Sequence, residues 1–280
     1  MITIIRNNKR LFIELIILLL VYISLMIVFT FYDYQITNYL FNPGTIFGKT
    51  FEVLGPTPMP LFVIFSSISL LFTAKFKKIQ IKVLTYIGIV LALVYAFAMG
   101  IMTFKYSYAP YLFIPSIILF TLLSIFTIYL NIRIKKKENE QLLRTHFFIC
   151  LCIFMVSFSS LFGSDLIKCI FGRVRYINLT SVSDYYPWFH INKFDFNSSF
   201  PSGHASRSLS LICASFILFY FNKAKWSLLI EAISIAFALT VAYTRMLEGM
   251  HYPTDLITGL VITSLAYIIS KNYLRKKINI

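Results

Sequence analysis

The residues able to carry chemistry lie between positions 168 and 255. Ser199-Phe-Pro201-Ser202-Gly203-His204 stands at the mouth of an apolar run, Ala205 to Phe221. Pro201 suits the first turn of a helix, where its missing N–H is not needed. Ser202 and Gly203 would then offer free backbone N–H groups at the positive end of that helix, which attracts anions. Gly203 permits close approach, and His204 supplies a group that exchanges a proton near pH 7. Further along, His251-Tyr-Pro253-Thr-Asp255 opens another apolar run. Pro253 near N1 and Asp255 near N3 are good helix-start residues. Four positions on, Asp255 can reach back to one ring nitrogen of His251, fix its tautomer and leave the other nitrogen facing outward as a nucleophile. Lys168, Arg175 and Arg245 stand at the ends of neighbouring apolar runs. Three cations, amides at a helix start and two histidines suit phosphoryl transfer, where catalysis is mostly charge stabilisation and positioning. Two histidines and one partner aspartate are too few ligands for a dinuclear metal site, so no metal and no cofactor are expected.

Elements that hold such groups have to be membrane helices. The chain of 280 residues is 58% hydrophobic and 13% charged, and its mean hydropathy is +0.77. A soluble domain carries about a quarter charged residues, so much of this apolar surface faces lipid. Eight runs approach the ~20 residues needed to cross a bilayer: 11–31, 57–74, 83–104, 109–131, 146–168, 204–221, 226–244 and 253–270. The expected fold is therefore an all-α polytopic bundle of eight membrane helices with its site at the outer face. Helices 1–4 (residues 1–145) precede a catalytic helical core (residues 146–280).

The net charge of +15 follows the loops. Eighteen of the 26 Lys and Arg residues fall in the alternate set that begins with Arg6, Lys9 and Arg10 and ends with Lys271, Arg275, Lys276 and Lys277. The positive-inside rule makes that set cytoplasmic, together with both termini. No basic run is interleaved with a nucleic-acid-binding motif, so no nucleic-acid partner is expected. Residues 32–56 are too polar to cross and read as an amphipathic segment on the outer surface or a plain loop. The long connection 176–199 reads as a lid or substrate wall. Cys150, Cys152, Cys169 and Cys213 lack metal-finger spacing and read as small core residues.

Lys168-x6-Arg175, Pro201-Ser-Gly-His204 and Arg245-x5-His251-x3-Asp255 resemble, in order and spacing, the three signature motifs of the phosphatidic acid phosphatase type 2 superfamily. Two positions depart from the usual pattern: Tyr176 stands where the first motif normally has proline, and Thr244 where the third normally has serine. The resemblance implies that His251 attacks phosphorus and forms a phosphohistidine, with Asp255 orienting it. His204 protonates the leaving oxygen and then activates water. Lys168, Arg175 and Arg245, with the Ser202 and Gly203 amides, hold the phosphate oxygens.

Other polar residues have weaker claims. Asp165, one turn from Lys168, is expected to pair with it, with direct substrate contact as the alternative. Arg173 is either a phosphate auxiliary or a headgroup-facing charge, and Arg207 either pairs with an acidic neighbour or lines the headgroup pocket. Glu231, a carboxylate inside an apolar run, is expected to face a partner. The sequence thus reads as a membrane phosphatase acting on an anionic lipid, with undecaprenyl diphosphate as the first candidate. Phosphatidylglycerophosphate, phosphatidic acid and lipid A phosphates fit the same residues. A lipid phosphotransferase, or a transporter that keeps the basic pocket without chemistry, remain rivals. Oligomeric state is not legible.

Overall fold

A computed structural model describes residues 2–73, 113–191, 198–221 and 223–278, with isolated positions between 83 and 94. Most of the helix expected at 83–104 and the start of the one at 109–131 lie outside the described residues. The fold is all-α, and among the described residues there is no strand. Its elements are α1 (Ile2–Leu40), α2 (Ile46–Leu54), α3 (Pro58–Thr73), α4 (Phe113–Lys136), α5 (Glu140–Phe171), α6 (Gly203–Leu209), α7 (Ser227–Leu247) and α8 (Pro253–Ile278).

Among the described residues, six helical stretches are long and apolar enough to cross a membrane: Lys9–Leu40, Ile46–Thr73, Ile117–Lys136, Glu140–Asn178, Ser227–Leu247 and Pro253–Ile278. The chain is an integral membrane protein. The run 204–221 is not a regular helix. After α6 it passes through a 3₁₀ segment, Ser210–Cys213, one α-turn, Ala214–Ile217, and a second 3₁₀ segment, Leu218–Phe221. Ser206, Ser208, Ser210 and Ser215 are all buried in this stretch. Serine hydroxyls that bond backbone carbonyls loosen and bend a helix: Ser208 Oγ donates to the Ala205 carbonyl at 2.9 Å and Ser210 Oγ to that of Arg207 at 2.6 Å.

The region expected to lie on the surface at 32–56 divides in two. Residues 32–40 continue α1, because no breaker occurs before Pro43-Gly44, where Gly44 takes φ +82°. Beyond that turn α2 starts with Thr45 as its cap, whose hydroxyl accepts from the Gly48 amide at 2.9 Å. The extension of α1 carries Asp33, Tyr34 and Asn38 up against the 176–191 connection, where Tyr176 donates its hydroxyl to Asn38 at 2.6 Å.

α5, the broken stretch after α6, and α8 share the main core, in which Ile149, Ile153 and Val156 cluster with Cys213, Phe216, Tyr267 and Leu274. Closer to the site, packing depends on small residues and hydroxyls, as expected where lipid offers no hydrophobic contrast. Ser206 Oγ lies 3.0 Å from the Ser160 carbonyl and 2.9 Å from Thr263 Oγ1, tying α5, α6 and α8 together. A Cβ at Gly259 would fall on the Ser202 carbonyl oxygen, so α8 and α6 touch backbone to backbone there. All four cysteines are buried and unbridged. Glu231 meets Lys271 at 2.6 Å, the partner such a carboxylate requires.

Candidate active site

The C-termini of α5 and α7 and the N-termini of α6 and α8 meet at one end of the bundle. α5 stops at Gly172, whose left-handed φ of +55° turns the chain after Lys168 and sends Arg173 back into the protein. α6 is capped by Ser202, whose hydroxyl accepts from the Ala205 amide at 3.3 Å. Pro201 therefore precedes the cap and is not at the first helical position. α8 begins at Pro253, which puts Asp255 at N3, and its carboxylate accepts from the Tyr252 amide at 2.8 Å, one half of a capping box.

His204 and His251 face one another with ring centroids 6.5 Å apart. Asp255 is buried behind His251. Its Oδ2 lies 3.6 Å from His251 Nδ1, an electrostatic contact longer than a hydrogen bond, and accepts a short bond from the Ser199 hydroxyl. Its Oδ1 accepts from Arg173 at 2.6 Å. With Nδ1 turned to the carboxylate, Nε2 is the nitrogen left for chemistry. Burial pushes the His251 imidazole down to about 4, against the pull of Asp255 and with Lys168 and Arg175 adding to the depression. The ring is thus a neutral base at physiological pH.

Cations surround this pair. Lys168, Arg207 and Arg245 lie close enough for their charges to act on His204, and Lys168 and Arg175 do the same to His251. Arg245 is fully buried. Its Nη2 donates to the Gly48 carbonyl at 2.6 Å, its Nη1 stands 3.8 Å from Glu52, and its Nε and Nη1 make no hydrogen bond to a described residue. Lys168 Nζ donates to the Ser198 carbonyl at 2.8 Å. Gly203 sits under Arg207: a Cβ there would lie 3.1 Å from a guanidinium nitrogen. Among the described residues no group of three His, Cys, Asp or Glu side chains is arranged to hold a metal ion.

Three expectations need correction. Asp165 does not pair with Lys168; it meets Arg207 at 2.6 Å, because the Lys168 side chain is drawn to the Ser198 carbonyl. The Ser202 amide is not open to a ligand, since it donates to the Asp255 carbonyl at 2.8 Å. That bond registers α6 against α8. Arg173 is neither a phosphate auxiliary nor a headgroup-facing charge. All five of its guanidinium donors have protein acceptors: Asp255 at 2.6 Å, Thr254 and Asp33 at 2.9 Å, the Tyr186 carbonyl at 3.1 Å and the Tyr185 hydroxyl at 3.3 Å. Tyr252 closes its face, with the guanidinium carbon 4.1 Å from the ring centroid.

Asp33, Ser199, Gly48 and Glu52 are the residues that sequence reasoning missed. Asp33 is the one acid between Glu14 and Glu52 and stands just past the first apolar run, a signal hidden by reading 32–56 as a surface segment. Ser199 borders the Pro-Ser-Gly-His motif, but nothing in the sequence links it to Asp255. His190 stacks on Tyr186, ring centroids 4.5 Å apart.

A membrane-helix bundle that gathers paired histidines and buried cations at the ends of four helices defines a site built for an anion. The chain from 158 to 279 matches the PAP2 superfamily, and this protein carries a domain of that family over those residues. It is also similar to the lipid A 4′-phosphatase of Bacteroides thetaiotaomicron, 41% identical over 63 residues, which are 22% of this chain and 25% of that relative. The match thus spans about a quarter of the length of that relative. No solved structure matches.

Proposed function

We propose that this protein is a membrane lipid phosphatase that works through a phosphohistidine. The observation carrying the proposal is the pair of histidines 6.5 Å apart within a group of like charges: Lys168, Arg175, Arg207 and Arg245 act on the two rings and on one another. Such a cluster costs energy when empty and is relieved by a polyanion. In this reading Nε2 of His251 attacks phosphorus while the bond to the leaving oxygen breaks, and His204 gives that oxygen its proton. Water then attacks the phosphohistidine as His204 takes a proton back, releasing inorganic phosphate. Arg245 and Lys168, with Arg175 and the Gly203 amide, hold the equatorial oxygens. These fixed cations do the work that a metal ion does elsewhere, and the mechanism is metal-independent.

The relative's name favours a glycolipid phosphomonoester, lipid A 4′-phosphate, as the first substrate to try. Undecaprenyl diphosphate, favoured by an outward-facing site, follows it. The basic loops orient both termini to the cytoplasm and the site to the extracytoplasmic side. The test is phosphate release by detergent-purified protein from lipid A, undecaprenyl diphosphate, phosphatidylglycerophosphate and phosphatidic acid, with and without EDTA, beside His251→Ala. Release that survives EDTA and is abolished by the substitution supports the proposal. Transfer of phosphate to a second lipid in place of release would establish a phosphotransferase. No turnover by folded protein would refute the catalytic reading.

A further inference from the structure

Two buried charges, Asp33 and Arg173, stand behind the histidine pair and bind protein groups alone. Asp33 comes from α1, far outside the matched domain, and is 1% exposed. Its Oδ1 accepts from the Thr254 amide at 2.9 Å. Its Oδ2 accepts a short bond from the Thr254 hydroxyl and a charged bond from Arg173 Nη2 at 2.9 Å. The other arm of the same guanidinium reaches Asp255 Oδ1 at 2.6 Å and Thr254 Oγ1 at 2.9 Å. A chain therefore runs Asp33–Arg173–Asp255–His251, with Thr254 bracing its middle.

Two physical consequences follow. The first turn of α8 needs acceptors for its orphan amides, and Tyr252, the residue before it, has no side chain that can cap. Asp33 supplies that cap from another helix and adds negative charge at the positive end of α8. In addition, a guanidinium is a planar fork, so fixing one arm fixes the other. Asp255 is gripped at Oδ2 by the Tyr252 amide and the Ser199 hydroxyl, and at Oδ1 by Arg173. Without Asp33, one arm of the fork keeps only the Tyr185 hydroxyl at 3.3 Å, and the guanidinium that holds Asp255 Oδ1 loses its second charged anchor.

We infer that Asp33 is a positioning residue for the nucleophile, acting through Arg173 and Asp255 to hold the His251 imidazole in one tautomer and one orientation. The kinetic part of this inference rests on the phosphohistidine reading. It also makes α1 part of the catalytic unit.

The test is Asp33→Asn, which keeps an acceptor for the Thr254 amide but turns an N–H₂ group toward Arg173. Turnover is expected to fall about ten- to hundredfold, the usual effect of losing a group that orients a catalytic ligand, with KM within about twofold. Independently of turnover, ¹⁵N shifts of the labelled His251 ring should change from one Nδ1–H tautomer to a mixture. A folded Asp33→Asn protein with wild-type turnover and an unchanged tautomer spectrum would overturn the inference. If that variant does not fold, Thr254→Val, which removes the hydroxyl shared by Asp33 and Arg173, serves instead. It should lower turnover severalfold and mix the tautomers, and no change in either would overturn the inference. If the wild type releases no phosphate, the phosphatase reading fails, while the ring spectrum still decides whether Asp33 positions His251.

Discussion

Replacing Arg173 by methionine would leave Asp33 and Asp255 as two buried carboxylates with no cation between them. Arg173 is 2% exposed and gives all five of its N–H donors to protein acceptors, two of them ionised. Removing one partner of a buried ion pair costs about 3–5 kcal/mol, because an uncompensated charge stays behind. For a chain of this size the loss corresponds to a fall on the order of 10 °C in the unfolding midpoint. Arg175, two residues on, is partly exposed, and its Nη1 lies 4.0 Å from the Met250 sulfur. Arg175→Met should therefore abolish turnover while lowering the midpoint less than half as far as Arg173→Met, since it removes no cation from between two buried carboxylates. The four buried free cysteines provide the assay: a thiol-reactive fluorophore added to detergent-purified protein reports unfolding as they become accessible. Equal destabilisation by the two substitutions, or a stable Arg173→Met protein, would refute the division between a structural and a ligand-binding arginine.

Three further outcomes are expected. Gly259→Ala should separate α6 from α8, because its Cβ meets the Ser202 carbonyl oxygen and not a flexible side chain; turnover should fall more than tenfold, whereas Gly44→Ala, with open space around it but φ +82°, should cost only stability, about 1 kcal/mol. The His251 ring, depressed to about 4 by burial, binds fewer protons folded than unfolded between about pH 4 and 6.5, so its contribution to stability is complete above 6.5 and lost as pH falls toward 4; midpoints measured from pH 7 to 4 should fall less steeply in His251→Gln, and an equal slope would contradict a buried neutral imidazole. Asp184→Cys and Lys136→Cys should label with impermeant reagents from opposite sides of the membrane, and labelling from one side would overturn the topology.

Much of this protein is legible in its chain. Apolar runs mark the helices, because a bilayer accepts little else, and the spacing Lys168-x6-Arg175, Pro201-Ser-Gly-His204 and Arg245-x5-His251-x3-Asp255 picks out the helix ends that form the site. Pro253 and Asp255 announce the start of α8 through local chemistry, although the acceptor for the Thr254 amide comes from α1. The partners of the charges are another matter. Whether Lys168 or Arg207 takes Asp165 depends on where α6 lies beside α5 and on the Ser198 carbonyl. The Ser202 amide is closed by a carbonyl on a different helix, at a contact that only Gly259 permits. Arg173 and Arg175 look alike in sequence; Gly172 turns one inward, where Asp33, 140 residues earlier, receives it. Sequence by itself marked the long apolar helices and the charged and imidazole groups at their ends, since those follow from residue type and periodicity. Tertiary structure alone decided which carboxylate neutralises which cation, because opposite charges pair by distance in space and a one-dimensional spacing carries no distance between helices.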